Sequence, residues 1–279
     1  VSATGERQPA VIAERQLLAI AGEAAQAAAE ELLKRFGGRP AGVRCKSSDT
    51  DPVSEADLAA EAAIRRVIGD RRPHDRVLGE EGGELAGADT GAGGGSVLRW
   101  IVDPLDGTVN FLFGVPLFAV SVACEDRHGT VVGVVLDPVR GERFAATRSG
   151  PATLNGTPIS CSARGELAHA LVATGFGYDA GVRRSQARVL NRVLPAVRDI
   201  RRGGSAALDL AWCACGRFDA YYERGVKLWD VAAGELIAAR AGLQVHRLAP
   251  RENSPPGIVV APRALIKPLL ELLAVAGAG

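Results

Sequence analysis

The chain of 279 residues lacks the usual marks of several protein classes. It has five cysteines, Cys45, Cys124, Cys161, Cys213 and Cys215, an odd number with no C-x-x-C pair. Neither a zinc framework nor a disulfide framework is readable from them, and they are expected to be reduced core thiols. The four histidines, His74, His128, His169 and His246, are scattered through turns and element flanks, which argues against zinc. No apolar run reaches the roughly 18 residues a membrane helix needs. The opening stretch VSATGERQPAVIAER carries charges where a secretory leader would have its apolar core, so a cytoplasmic protein with no membrane partner is expected. Net charge is +1. No basic field points to nucleic acid, and no acidic field points to disorder.

What is present is ordinary globular material, 47% hydrophobic and 23% charged. The length suits one large domain or two tightly joined halves, 10–150 and 151–279. After a loose tail (1–9), a helix is expected over 9–36, with Leu17, Ile20, Ala24, Ala28, Leu32 and Phe36 on one face. GGRPAG (37–42) stops it. An extended stretch (43–53), a helix (55–69) and a strand running into a turn (76–83) follow, then a Gly-rich mobile loop (84–97). Strands are expected at 99–103, 117–125, 130–138 and 142–148, and Asn155-Gly156 carries a hairpin signal. From residue 170 strands and helices alternate: strands at 170–176, 218–223, 243–248 and 257–262; helices at 182–198, 229–242 and 263–275; and a strand entering a helix over 199–216. The class is mixed α+β, in layers.

Against that background the acidic residues stand out. WIVDPLDGTVNF (100–111) places Asp103 at the end of an apolar run, where a carboxylate is costly unless something pairs with it. Asp106-Gly107 alone reads as a turn, but a turn does not account for Asp103. The strand can deliver Asp103 to a sheet edge, with the Leu105 carbonyl and Asp106 facing the same point. Gly107 and Thr108 then open a short helix whose free N–H groups suit an anionic oxygen. Glu80 and Glu81 in GEEGG end another strand, although an E-E pair is commonly a solvated turn. Asp57 fits a capping box with Ser54, and Asp230 fits an N-cap; either could also face a metal from a helix start. Carboxylates at strand ends and helix starts, with no Cys or His among them, suit a hard cation, Mg²⁺ first.

LGEEGG, WIVDPLDGTVNF and WDVAAG, in this order and spacing, closely resemble the inositol monophosphatases, Mg²⁺-dependent and lithium-sensitive phosphatases, over roughly residues 13–275. The resemblance implies a layered α-β-α-β-α sugar-phosphatase-like fold, with most metal ligands in the first half and the substrate pocket in the second. It also implies two or three Mg²⁺ per site and a homodimer. Glu80, Asp103 and the carbonyl of Leu105 match the first metal site, Asp103, Asp106 and Asp230 the second, and Glu80 a weaker third. Glu81 matches an acid beside the site. Asp57 with Thr108 matches the pair that orients and deprotonates the attacking water, and Gly107 with Thr108 the phosphate-binding amides. Lys46 matches a lysine on a mobile loop over the metals. Asp106, Gly204, Ser205, Ala206 and Glu223 match the substrate contacts. The bland alternatives for Lys46, Ser205 and Glu223 are a solvated lysine, a helix cap and a sheet-edge acid.

The activity implied is hydrolysis of a small phosphate monoester, myo-inositol-1-phosphate first, by in-line attack of an activated water. Histidinol phosphate and broad sugar-phosphate use, fructose-1,6-bisphosphate included, are the alternatives, because the metal acids are common to all. A different class of reading is an RNA-polymerase-associated binding factor, which would leave the matched acids unexplained.

Overall fold

The structure, a computed structural model, describes residues 7–38, 42–45, 52–87, 98–251 and 254–277. Two helices form its first layer. The long α1 (Arg7–Leu33) is Ala-rich, and Leu17, Ala21, Ala24, Ala28 and Leu32 are buried along it. A two-residue ladder, β1 (Arg44–Cys45) against β2 (Pro52–Val53), leads to α2 (Glu55–Arg71), which packs beside α1.

The second layer is an eight-stranded sheet made of β3 (Arg76–Gly79), β4 (Gly83–Leu85), β5 (Arg99–Asp106), β6 (Ala119–Asp126), β7 (Gly129–Asp137), β8 (Glu142–Thr147), β9 (Thr153–Leu154) and β10 (Thr157–Pro158). Its order is β10-β9-β8-β7-β6-β5-β3-β4. Strand alternation puts Trp100, Val102, Val120 and Val122 in the core under α1 and α2, and Ile101, Ala119 and Ala123 in the core on the opposite face. Within this sheet, among the described residues, only β3 and β5 run parallel, paired from Arg76↔Arg99 to Gly79↔Val102. Parallel strands end at the same edge. The residues that follow Gly79 and Val102, namely Glu80 and Asp103, are therefore delivered side by side. A register shift between Asp103 and Asp106 then bends β5 where Pro104 lacks an N–H for the ladder.

After the short α3 (Thr108–Leu112), the remainder of the chain builds the other layers from β11 (Leu171–Thr174), α4 (Ala180–Val193), β12 (Asp199–Arg201), α5 (Ala206–Ala214), β13 (Ala220–Arg224), α6 (Leu228–Arg240), β14 (Gln244–Leu248), β15 (Gly257–Ala261) and α7 (Arg263–Val275). The five strands order as β12-β11-β13-β15-β14. Helices α5 and α6 fill the space between the two sheets, and α4 and α7 cover the outer face of the second. The result is α-β-α-β-α layering. The middle layer is tight because its residues are small. A Cβ on Gly133 of β7 would sit 2.9 Å from Ala233 Cα and its carbonyl oxygen.

Several expected boundaries move. The expected Gly-rich loop at 84–97 begins inside an edge strand, because Gly83–Leu85 pairs antiparallel with β3; residues 88–97 lie outside the described residues. The helix expected over 182–198 stops at Val193, and the chain tightens into a 3₁₀ turn at Leu194–Ala196 around Pro195, which has no N–H to continue the ladder. Asp106-Gly107 is not a hairpin turn. Strand β5 runs on to Asp106, and Gly107, at φ 104°, caps α3. The Asn155-Gly156 hairpin is borne out, with both residues at positive φ and Leu154 paired to Thr157. Among the described residues no helix is long and apolar enough to cross a membrane, and Cys124, Cys161, Cys213 and Cys215 are free thiols.

Because backbone of α6 lies against Gly133, Gly133→Val should overpack the middle layer. The expected cost is about 1–3 kcal/mol, read as a lower urea midpoint. A midpoint equal to that of the parent would mean the helix and sheet are not in such close contact.

Candidate active site

One cleft of about 500 Å³ lies where the ends of β3 and β5 meet the starts of α5 and α6 and the end of β13. Glu80, Asp103, Leu105, Asp106, Gly107, Thr108, Gly204, Ala206, Glu223 and Asp230 all line it. Residues 150 positions apart in sequence are thus brought to one wall. Phe176, Arg202 and Trp229 are among the other residues that line it.

Each acid is held in a defined way. Asp103 is 2% exposed, and its Oδ1 accepts the N–H of Leu105 at 2.9 Å, inside the β5 bend. Asp106 accepts two short hydrogen bonds at Oδ2, from the Ser205 hydroxyl and the Ala207 N–H, both at 2.6 Å. Asp230 is the third residue of α6 rather than its N-cap; its Oδ2 accepts the Lys227 N–H at 2.6 Å. A carboxylate near a helix start also gains from the helix dipole. Asp57 is likewise the third residue of α2, in the expected capping box with Ser54: Oδ2 accepts the Ser54 N–H at 2.9 Å and its hydroxyl at 2.6 Å.

These carboxylates share a poorly solvated space, and their protonation shows it. Burial, then the charges of Glu80, Asp106 and Asp230, push Asp103 well above the usual carboxylate range. Burial and Asp106 push Asp230 up as well. Asp106 is raised by burial to about 6, with Ser205 and Ala207 opposing the rise. Among the described residues no three acidic, His or Cys side chains close into a compact cage by themselves. The donors are nonetheless all oxygen. A divalent hard cation would relieve their mutual repulsion, so the residues present fit Mg²⁺.

Asp57 is 1% exposed and does not itself line the cleft; Thr108 stands between. The Thr108 hydroxyl lies 3.0 Å from Asp57 Oδ1 and 3.1 Å from the Leu105 carbonyl, and can donate to either. Ser205 is not a wall residue. It caps α5 by accepting the Leu208 N–H and donates to Asp106 from behind. Glu81 also is not part of the lining. Glu223 faces the cleft and is raised by burial to about 7, while its bond from the buried Tyr221 hydroxyl (2.7 Å) and the charge of Arg202 pull it down. Lys46 lies outside the described residues. Tyr221 and Arg202 were not foreseen. For Tyr221 a signal existed: it precedes Glu223 by two residues in a strand, so both point to one face.

A profile of the inositol monophosphatase family matches residues 13–274. The chain is 44% identical over 233 residues to the inositol-1-monophosphatase SuhB of Mycobacterium tuberculosis, covering 82% of this chain and 80% of that one. It is 39% identical over 227 residues to the Nus factor SuhB of Haemophilus influenzae, covering 81% and 83%. Its fold superposes with a TM-score of 0.84 on the crystal structure of the extragenic suppressor protein suhB from Bartonella henselae, at 35% identity over 92% of this chain and 98% of that one.

Ser205→Ala removes both the cap of α5 and a donor to Asp106. A loss of about 1–2 kcal/mol in unfolding free energy is expected, measured by urea denaturation. If the variant unfolds at the parent's midpoint, Ser205 is not holding these two elements together.

Proposed function

Since the chain belongs to the inositol monophosphatase family, we propose that it is a Mg²⁺-dependent phosphatase that hydrolyses myo-inositol-1-phosphate to inositol and phosphate. The family is generally Mg²⁺-dependent and supports a phosphatase. The observation that supports metal-assisted hydrolysis is the cleft that gathers Glu80, Asp103, Asp106 and Asp230 beside the Thr108–Asp57 hydrogen bond, and the choice of the inositol ester rests on Gly204, Ala206 and Glu223 lining the same cleft.

In this reading the chain is one catalytic unit. Residues 10–150 supply most of the metal ligands, and residues 151–279 the substrate pocket and Asp230. Glu80, Asp103 and the Leu105 carbonyl would hold one Mg²⁺, Asp103, Asp106 and Asp230 a second, with Glu80 turned also toward a weaker third. When bound, Mg²⁺ supplies charge neutralisation for the phosphate and for the leaving alkoxide.

The protein's own groups do the remaining work. Thr108 Oγ1 takes a proton from the attacking water as it passes its own to Asp57 Oδ1. The water oxygen can then form its bond to phosphorus in line with the ester oxygen, which departs and is protonated from solvent. The N–H groups of Gly107 and Thr108 hold phosphate oxygens. Ser205 and the Ala207 N–H fix Asp106, so that it can serve the metals and accept a hydroxyl hydrogen bond. Glu223 accepts a second ring hydroxyl, with Gly204 and Ala206 forming the floor. Glu81 stands beside the site, and Lys46, outside the described residues, matches the family's lysine over the metals. Positioning and charge complementarity, not a covalent intermediate, carry the rate.

Relatives named Nus factor SuhB at 39–44% identity favour a second reading, a binding role alongside catalysis. A pull-down from lysate with the parent and with Asp103→Asn separates the two roles. RNA polymerase retained by both would support the binding role, and its absence from both would dismiss it.

Asp103→Asn should lower kcat by roughly 10³-fold or more at saturating Mg²⁺, the scale of losing one preorganised electrostatic group; near-normal activity would overturn the assignment. For the substrate, phosphate release would be compared for myo-inositol-1-phosphate, histidinol phosphate and fructose-1,6-bisphosphate, each with and without lithium. Preferential, lithium-blocked turnover of the inositol ester is expected. Preference for another ester would keep the metal chemistry and discard the roles given to Ala206 and Glu223.

A further inference from the structure

The turn that carries Glu80 and Glu81 hangs on a side chain outside the cleft. Glu61, on α2, is 4% exposed. Its Oε2 accepts the N–H of Glu81 at 2.8 Å, and its Oε1 accepts the N–H of Gly82 at 2.9 Å. Arg65, one helical turn further on, donates Nε to Glu61 Oε1 at 2.8 Å and Nη2 to the Gly83 carbonyl at 2.8 Å. A carboxylate buried at this depth is expensive unless its lone pairs are used, and here three donors use them. The glycines on either side of the acids follow from the same contact. A Cβ on Gly79 would lie 2.6 Å from Glu61 Cδ and Oε2, and one on Gly82 would lie 2.6 Å from Glu61 Oε1. The spacing G-E-E-G is therefore the imprint of a carboxylate lying flat against the turn.

We propose that Glu61 is a positioning residue of the metal site: through the backbone of residues 81 and 82 it fixes where the Glu80 carboxylate stands, with Arg65 holding Glu61 in place. This rests on the reading of Glu80 as a Mg²⁺ ligand. Helix α2 then serves the cleft twice from one face, since Asp57 and Glu61 are four residues apart. Asp57 backs Thr108, and Glu61 backs the turn bearing Glu80. A shift in the helix would move both. Groups of this kind, which touch a ligand's support rather than the metal, commonly change metal affinity by about 10–100-fold.

The test is calorimetric titration of the purified protein with MgCl₂, without substrate. Parent, Glu61→Gln, Gly82→Ala and Arg71→Ala would be compared, and the fold of each checked by circular dichroism. In Glu61→Gln the amide NH₂ is turned toward N–H donors, so the grip on the turn is broken with little change of shape. Gly82→Ala presses on the same carboxylate from the turn's side, and serves if Glu61→Gln does not fold. Arg71, on the same helix as Glu61, forms an exposed ion pair with Glu23 of α1 and reports any general loosening of α2. A Mg²⁺ dissociation constant raised about 10–100-fold in Glu61→Gln and Gly82→Ala, and unchanged in Arg71→Ala, supports the proposal. Parent-like affinity in the first two, or an equal loss in Arg71→Ala, overturns it while leaving the metal reading intact. If the parent itself takes up no Mg²⁺, the metal reading fails and this inference fails with it.

Discussion

Carboxylates crowded into one poorly solvated cleft are the constraint on which the remaining architecture depends. Acidic neighbours raise the proton affinity of Asp103 and Asp230 beyond what burial alone does, so each must be held against repulsion by something rigid. The supports are backbone N–H groups and short side chains at element ends: the bend in β5, the start of α5 with its Ser205 cap, and the first turn of α6. Such donors cost little entropy to use because the fold has already ordered them.

The layered packing explains why these supports can be trusted to stay in place. Helices α5 and α6 lie between the two sheets, where Ala232, Ala233 and Gly234 permit close approach to β7 and to Leu210. The helices whose first turns face the cleft are thus clamped on both sides by apolar cores. On the other wall, the parallel pair β3 and β5 forces two acidic strand ends to the same edge. Ligand sites at the carboxyl ends of parallel strands are common in α/β proteins for this geometric reason, and here the parallel pair of the large sheet is the one that carries the acids.

Apolar periodicity and turn chemistry carried much of the fold. The central strands of the large sheet, helix α7 and the Asn155-Gly156 hairpin were all readable, because each is decided by neighbours within a few residues. The failures have local causes of a different kind. Strand β4 was hidden because its residues, Gly83–Leu85, are exposed and pair only at a sheet edge. The end of α4 was placed late because its charged surface pattern continues past Pro195.

What the residues alone determined was the inventory of chemistry: acids at strand ends and helix starts, no sulfur or imidazole among them, and glycines where the backbone must come close. Those follow from residue type and short spacing, and the DPLDGT and WDVAAG stretches are specific enough to name a family. Tertiary structure alone decided who stands in front and who behind. Asp57 reaches the cleft through Thr108, Ser205 serves Asp106 rather than the wall, and Glu61 holds the turn bearing Glu80 from outside. Roles of that order depend on contacts between residues up to 99 positions apart, and no local pattern encodes a distance that only the packed layers set.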